Sequence, residues 1–214
     1  RAWALLNPKA YRYGSNPLTQ ADIEASELIS SPLRTADCCL VTDGGGAIVI
    51  TSLERAHDLR KKPVSILGFG EATTNSGMTT HRDLRVMGSQ ISGAAAFEMA
   101  GVSPEEIDVV EIYDSFTITT LLTLEGLGFA QKGGGAAFVL DGKTRPGGSF
   151  PLNTNGGGLS YSHPGQYGIL LLVEAVRQLR EECGDRQVSG AKLALAHGTG
   201  GIFSTHATVI LGVS

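Results

Sequence analysis

Apolar residues recur at helical spacing most clearly in the last quarter of the chain, where Ile169, Leu172, Val173, Val176 and Leu179 mark one face of a helix. Pro164 suits the first position of that helix, because its missing N–H would be unpaired there anyway. This reading puts His163 at the helix start, where the positive end of the dipole disfavours an imidazolium. A glycine-rich loop, NTNGGGLSYSH, leads into it. Upstream, the stretch from Val64 alternates in kind. Val64 to Gly70 reads as a strand, Val86 to Gly101 as a helix with alanines for close packing, and Ile107 to Ile112 as a buried strand. Phe116 to Leu127 reads as an apolar helix, and residues 131 to 150 as a glycine-rich excursion. Ala191 to Ala196 and Thr205 to Val213 follow as strands. Strands alternating with helices predict a mainly parallel sheet covered on both faces. The short link between the final two strands makes that pair antiparallel.

The first part of the chain is less regular. Residues 1 to 35 mix Trp3, Tyr11 and Tyr13 with polar positions, and carry too little apolar content to fold alone. Thr19 caps a short helix reaching about Glu27, and Pro32 ends what precedes it. CCLVTDGGGAIVIT (residues 38 to 51) reads as two strands, or one strand broken at Asp43-Gly44-Gly45-Gly46. A phosphate loop is excluded there because no Gly-Lys-Ser/Thr follows. Ser52 caps a helix from Leu53 to Leu59, which ends in Arg60-Lys61-Lys62 and is closed by Pro63. Residues 73 to 85, with Met78 and His81, read as a polar loop over a surface or a ligand.

Composition narrows the class. The 214 residues are 42% hydrophobic but only 18% charged, which suggests that much of the surface is covered by other protein. The net charge of −4 gives no reason to expect nucleic acid or a membrane surface. No window is apolar enough to span a bilayer, no signal peptide is visible, and Arg1 is an odd first residue. Three cysteines, Cys38, Cys39 and Cys183, show neither a CxxC pair nor metal-ligand spacing, so no metal is expected and a reduced, cytoplasmic protein is.

Three polar motifs fall at strand carboxyl ends, where ligands collect in open α/β sheets. They are Tyr113-Asp114-Ser115-Phe116, Ser162-His163-Pro164 and His197-Gly198-Thr199-Gly200-Gly201. Each has a bland reading: a buried phenol, a helix cap, a satisfied turn histidine. Together, two histidines, a tyrosine, a serine and glycine amides suit proton transfer beside a bound carbonyl.

The order YDSF, NGGGLSYSHPGQYG and HGTGG resembles the C-terminal half of the thiolase superfamily, sterol-carrier-protein-type members above all, and TDGGGAIVITS resembles the strand closing that family's N-terminal domain. The resemblance implies a thiolase-like α/β fold with a mixed, mainly parallel five-stranded sheet. Residues 1–62 would end the N-terminal domain and residues 63–214 form the C-terminal one. It also implies a chemistry: acyl transfer, or Claisen-type carbon–carbon bond formation or cleavage, with a coenzyme A thioester as substrate and no covalently bound cofactor. His163 then matches the histidine that activates a nucleophilic cysteine. Tyr113 matches the position of an Asn or His beside an oxyanion-hole water. Ser115 and His197 match the two positions where relatives carry a second, acid/base cysteine. Histidine at 197 is a plausible replacement, whereas serine at 115 is a poor one. Neither Cys38, Cys39 nor Cys183 sits where the nucleophile belongs, so the implied parent is a fragment or subunit assembling with its N-terminal half or a thiolase-like partner. The alternatives are a retro-aldolase acting on a β-hydroxyacyl-CoA, with Tyr113 or His197 as base, and a non-catalytic scaffold that binds acyl-CoA.

Overall fold

The computed structural model describes residues 1–80, 83 and 85–213. His81 and the Met78 side chain, part of the polar loop expected over residues 73 to 85, lie outside the described structure. The chain begins with two short helices, α1 (Ala2–Leu5) and α2 (Gln20–Ala25). Thr19 caps α2 reciprocally: its hydroxyl accepts from Asp22 N–H, and the Asp22 carboxylate accepts from Thr19 N–H at 2.8 Å. Trp3 fastens this region to the body by donating its indole N–H to the Thr144 carbonyl at 2.9 Å. A two-stranded antiparallel ribbon follows, β1 (Leu28–Ser30) and β2 (Leu33–Arg34).

The expected strands over residues 38 to 51 are not formed among the described residues. Cys38 makes one bridge to Phe116, Cys39 N–H donates to the Ser115 carbonyl, and Leu40 N–H donates to the Gly158 carbonyl. Beyond Leu40 the backbone has no ladder partner, and Val41, Val49 and Ile50 are 97%, 87% and 75% exposed. Apolar residues alone do not make a strand when no neighbouring edge accepts its hydrogen bonds. α3 (Leu53–His57) then forms under its Ser52 cap.

The main sheet is built from β3 (Ser65–Thr73), β4 (Val109–Ile112), β5 (Leu193–Gly200) and β6 (Thr205–Gly212), in the order β3-β6-β5-β4. It is mixed, as expected, but among the described residues it has four strands rather than five, and of these only β4 and β5 run parallel. β6 pairs antiparallel with both β3 and β5, and the short β5–β6 link behaves as the sequence implied. A fifth position survives as a single parallel bridge between Leu152 and Val110. Pro151 offers no N–H on one side, and Asn153 turns left-handed at φ 50° on the other, so the extended run cannot lengthen.

Helices cover both faces. On one face lie α4 (Ser89–Ala100) and α5 (Thr117–Gly126), packed on Val110, Ile112, Leu195 and Ile210. α4 sits against β3 because Gly68 and Gly70 carry no side chain; a Cβ at either would run into the α4 backbone carbonyls of Ala96 or Ser92. Within the excursion of residues 131 to 150 a further short helix forms, α6 (Gly135–Leu140), and α7 (Gly157–Ser160) follows the glycine-rich loop. The long helix α8 (Gly168–Leu179) covers the opposite face, over Val109, Ala194, Ala196 and Leu211. α8 starts at Gly168, not at Pro164. Gly165 is left-handed at φ 85°, which breaks any helix begun at the proline. His163 is therefore a loop residue, and no helix dipole of α8 begins at it. Among the described residues no helix is long and apolar enough to cross a membrane.

Candidate active site

β4 ends where Asn153 grips Ile112 from both sides. Its Oδ1 accepts from Ile112 N–H at 2.7 Å, and its Nδ2 donates to the Ile112 carbonyl at 2.9 Å. The next residue, Tyr113, still donates its N–H to the His197 carbonyl, so it leaves the sheet in a defined direction. Strand alternation places Ile112 toward α5 and Tyr113 toward α8. There the Tyr113 hydroxyl meets His163 Nε2 at 2.9 Å, with ring centroids 5.5 Å apart. Tyr167, buried, stacks on His163 at 6.1 Å and is itself held by donating its hydroxyl to Asn155 Oδ1 at 2.9 Å. The backbone of His163 is fixed too, since its N–H donates to Thr42 Oγ1 at 2.8 Å.

Burial sets the protonation of this pair. It lowers the affinity of the His163 imidazole for a proton and raises the pKa of the Tyr113 phenol, a hydrogen bond with Ser115 opposing part of the latter. Burial thus disfavours charge on both rings of this hydrogen-bonded pair. What disfavours an imidazolium at His163 is burial and not the start of α8. Asp114, between Tyr113 and Ser115, is buried and its pKa is pushed up to about 7 by burial, against hydrogen bonds from the backbone N–H groups of Gly158 and Leu159.

The expected gathering of His163 and His197 in one cavity does not occur. His197 is a residue of β5 and shares a face with Leu195, beside Ile112, so it points toward the α4 and α5 side. It is fully buried there, with Nδ1 at 2.8 Å from Thr208 Oγ1 and Nε2 at 3.4 Å from His206 Nδ1. Burial first, and the neighbouring His206 second, depress its pKa to about 3. The sequence placed the HGTGG motif just after a strand ending at Ala196, but β5 continues through Gly200, and its two-residue period turns the imidazole away from Tyr113. Ser115 stands beside Tyr113, half-buried, with its hydroxyl 3.2 Å from Thr119 Oγ1.

Two of the three thiols, Cys39 and Cys183, are held away from the thiolate form. Burial raises the pKa of Cys39, and it drives that of Cys183 up to about 12 with Glu174 adding to the effect. Sequence reasoning missed Thr42, Asn153, Asn155 and Tyr167. The Asn-Thr-Asn run before three glycines was the available signal, because Asn side chains readily bond nearby backbone at turns.

Residues 70–213 match the family described as thiolase C-terminal domain-like. The chain belongs to that family. Among similar proteins, the acetyl-CoA acetyltransferase of Methanothermobacter thermautotrophicus is 36% identical over 88% of this chain and 51% of its own length. The 17-hydroxy-3-oxo-4-pregnene-20-carboxyl-CoA lyase of Mycobacterium tuberculosis is 41% identical over 84% of this chain and 47% of its own. In three dimensions the chain superposes on the Ltp2-ChsH2(DUF35) aldolase with a TM-score of 0.91 at 32% identity, covering 100% of this chain and 56% of that one. The chain thus spans about half the length of the relatives it matches. The thiolase-like α/β fold expected from the motifs is the fold observed.

Proposed function

We propose that this chain contributes the His163–Tyr113 pair to carbon–carbon bond chemistry on coenzyme A thioesters. The observation carrying the reading is the 2.9 Å contact between the His163 imidazole and the Tyr113 phenol, both on the α8 face of the sheet. A phenol with a raised pKa is a poor base alone, but a partner that takes its proton makes it a competent relay. On a β-hydroxyacyl-CoA, the hydroxyl proton passes to the Tyr113 oxygen as the Tyr113 proton passes to His163 Nε2. The bond between the α and β carbons then breaks, its electron pair forming the thioester enolate and leaving a carbonyl on the departing fragment. The names of two similar proteins, a lyase and an aldolase, support this retro-aldol branch.

The acyl-transfer branch is supported by the acetyltransferase relative. There His163 would take the proton of a cysteine thiol supplied from outside these 214 residues, and Tyr113 would polarise the thioester carbonyl. The two branches separate by product. A β-hydroxyacyl-CoA cleaved without added coenzyme A, leaving no acylated protein by intact mass, establishes the aldol branch. A β-ketoacyl-CoA cleaved only with coenzyme A, through an acylated intermediate, establishes acyl transfer. No turnover of either, with the pair intact, contradicts the proposal and favours a scaffold.

A further inference from the structure

We propose that Asp114 is a positioning residue that sets the orientation of His163 toward Tyr113 through the backbone of Gly157 and Gly158. This rests on the reading of His163 and Tyr113 as the reacting pair. The Asp114 carboxyl is buried, and its Oδ1 accepts from Gly158 N–H at 2.6 Å while Oδ2 accepts from Leu159 N–H at 3.3 Å. Gly157 is left-handed at φ 68°, and a Cβ on it would overlap Asp114 Oδ2. Gly158 lies between the carboxyl group and the imidazole: a Cβ built there would stand 3.1 Å from Asp114 Oδ1 and 3.1 Å from His163 Cδ2. The loop backbone is thus pressed against the carboxyl group on one side and against the imidazole on the other. The segment of Leu40 and Thr42 closes the arrangement, since Leu40 N–H donates to the Gly158 carbonyl at 2.9 Å and Thr42 Oγ1 accepts from His163 N–H at 2.8 Å.

Two converging backbone donors call for two acceptor oxygens. A carboxyl group turns an oxygen toward each, whereas an amide turns one oxygen to one donor and its own N–H₂ to the other. The Asp114 carboxyl acts on the loop backbone at Gly158 and Leu159, so its role is geometric.

The test is nuclear magnetic resonance of ¹⁵N-histidine-labelled chain, comparing wild type, Asp114→Asn and Tyr113→Phe. Tyr113→Phe removes the hydrogen bond to His163 and fixes the end point. Asp114→Asn is expected to move the His163 ring nitrogen shifts at least halfway to that end point while those of His197, on the other face of the sheet, stay in place. A merely structural Asp114 would disturb both histidines or neither. Unmoved His163 shifts overturn the proposal. If Asp114→Asn does not fold, the wild type still decides: a strong cross-relaxation signal between Gly158 Hα and His163 Hδ2 supports the link, and its absence overturns it. Neither readout uses a coenzyme A thioester. Protein inert toward β-hydroxyacyl- and β-ketoacyl-CoA would refute the reading of the pair, and an uncoupled His163 would refute the positioning role.

Discussion

His163 and His197 are the same side chain in opposite circumstances, and each yields a measurable consequence. His163 is half-exposed and loses proton affinity to partial burial, so its imidazole should titrate with a midpoint below the unperturbed value of about 6.5. A midpoint at or above that value in a ring-nitrogen titration would contradict the lowered proton affinity assigned to it. His197 is the more extreme case. Its pKa falls from about 6.5 unfolded to about 3 folded, so its contribution to stability is complete above about pH 6.5. That contribution drains away as pH falls toward 3, because the unfolded chain binds a proton that the folded one refuses. Asp114 works in the opposite sense. Its folded value of about 7 lies above the unfolded 3.8, so its contribution is complete below about pH 4 and is lost as pH rises toward 7. The two contributions oppose each other between these limits, and Glu111, raised by burial, acts in the same sense as Asp114, so only a difference isolates the histidine. Between pH 3.5 and 6, on this account, the unfolding free energy of wild type minus that of His197→Gln should rise by about 1.4 kcal/mol per pH unit. A flat difference in denaturant titrations would show that His197 is not the buried neutral group described.

At the scale of elements, what the sequence made legible was whatever a local period could carry. α8, β4 and the final antiparallel pair follow directly from apolar spacing and a short link. What stayed hidden depended on partners distant in sequence. Residues 41 to 50 carry strand-forming side chains but find no edge to pair with, so pattern and structure part there. The start of α8 was misplaced because one left-handed glycine, Gly165, outweighed a favourable proline. Of the site, the Tyr113 and His163 positions were readable from motif order, whereas their contact with each other, and the exclusion of His197, needed the sheet's two faces. The glycines of β3 were unreadable for the same reason: nothing local says that a helix lies against them. Gly70→Ala tests this contact, since the added methyl would collide with the Ser92 carbonyl and Ala95. It should lower stability by about 1–3 kcal/mol, the usual cost of overpacking a close interface. Unchanged denaturant midpoints would mean that α4 does not sit on β3 as described.

At the scale of the molecule, one flank is unfinished. A cavity of about 820 Å³ opens between residues 47 to 66 and the outer side of α8, lined by Ile48, Leu53, Leu172 and Val176, with Lys61 and Arg180 at its rim. Val49 and Ile50, also in its lining, are 87% and 75% exposed. Apolar surface of this kind is normally covered, so the chain should self-associate or bind a thiolase-like subunit at micromolar concentration. Sedimentation as an isolated 22.3 kDa monomer that binds no such subunit would count against this. The central claim is narrower: the chemistry belongs to His163 and Tyr113 on the α8 face, and not to His197 on the other. Its most direct measurement is the rate of CoA-thioester cleavage by the assembled protein, normalised to folded protein, for wild type, His163→Ala, Tyr113→Phe and His197→Gln. Loss of a positioned proton carrier costs on the order of a hundred- to ten-thousand-fold, so His163→Ala and Tyr113→Phe should each fall by at least about a hundredfold. His197→Gln should keep its rate to within a few-fold. A His197→Gln rate as low as that of His163→Ala, or a Tyr113→Phe rate equal to wild type, would contradict the account.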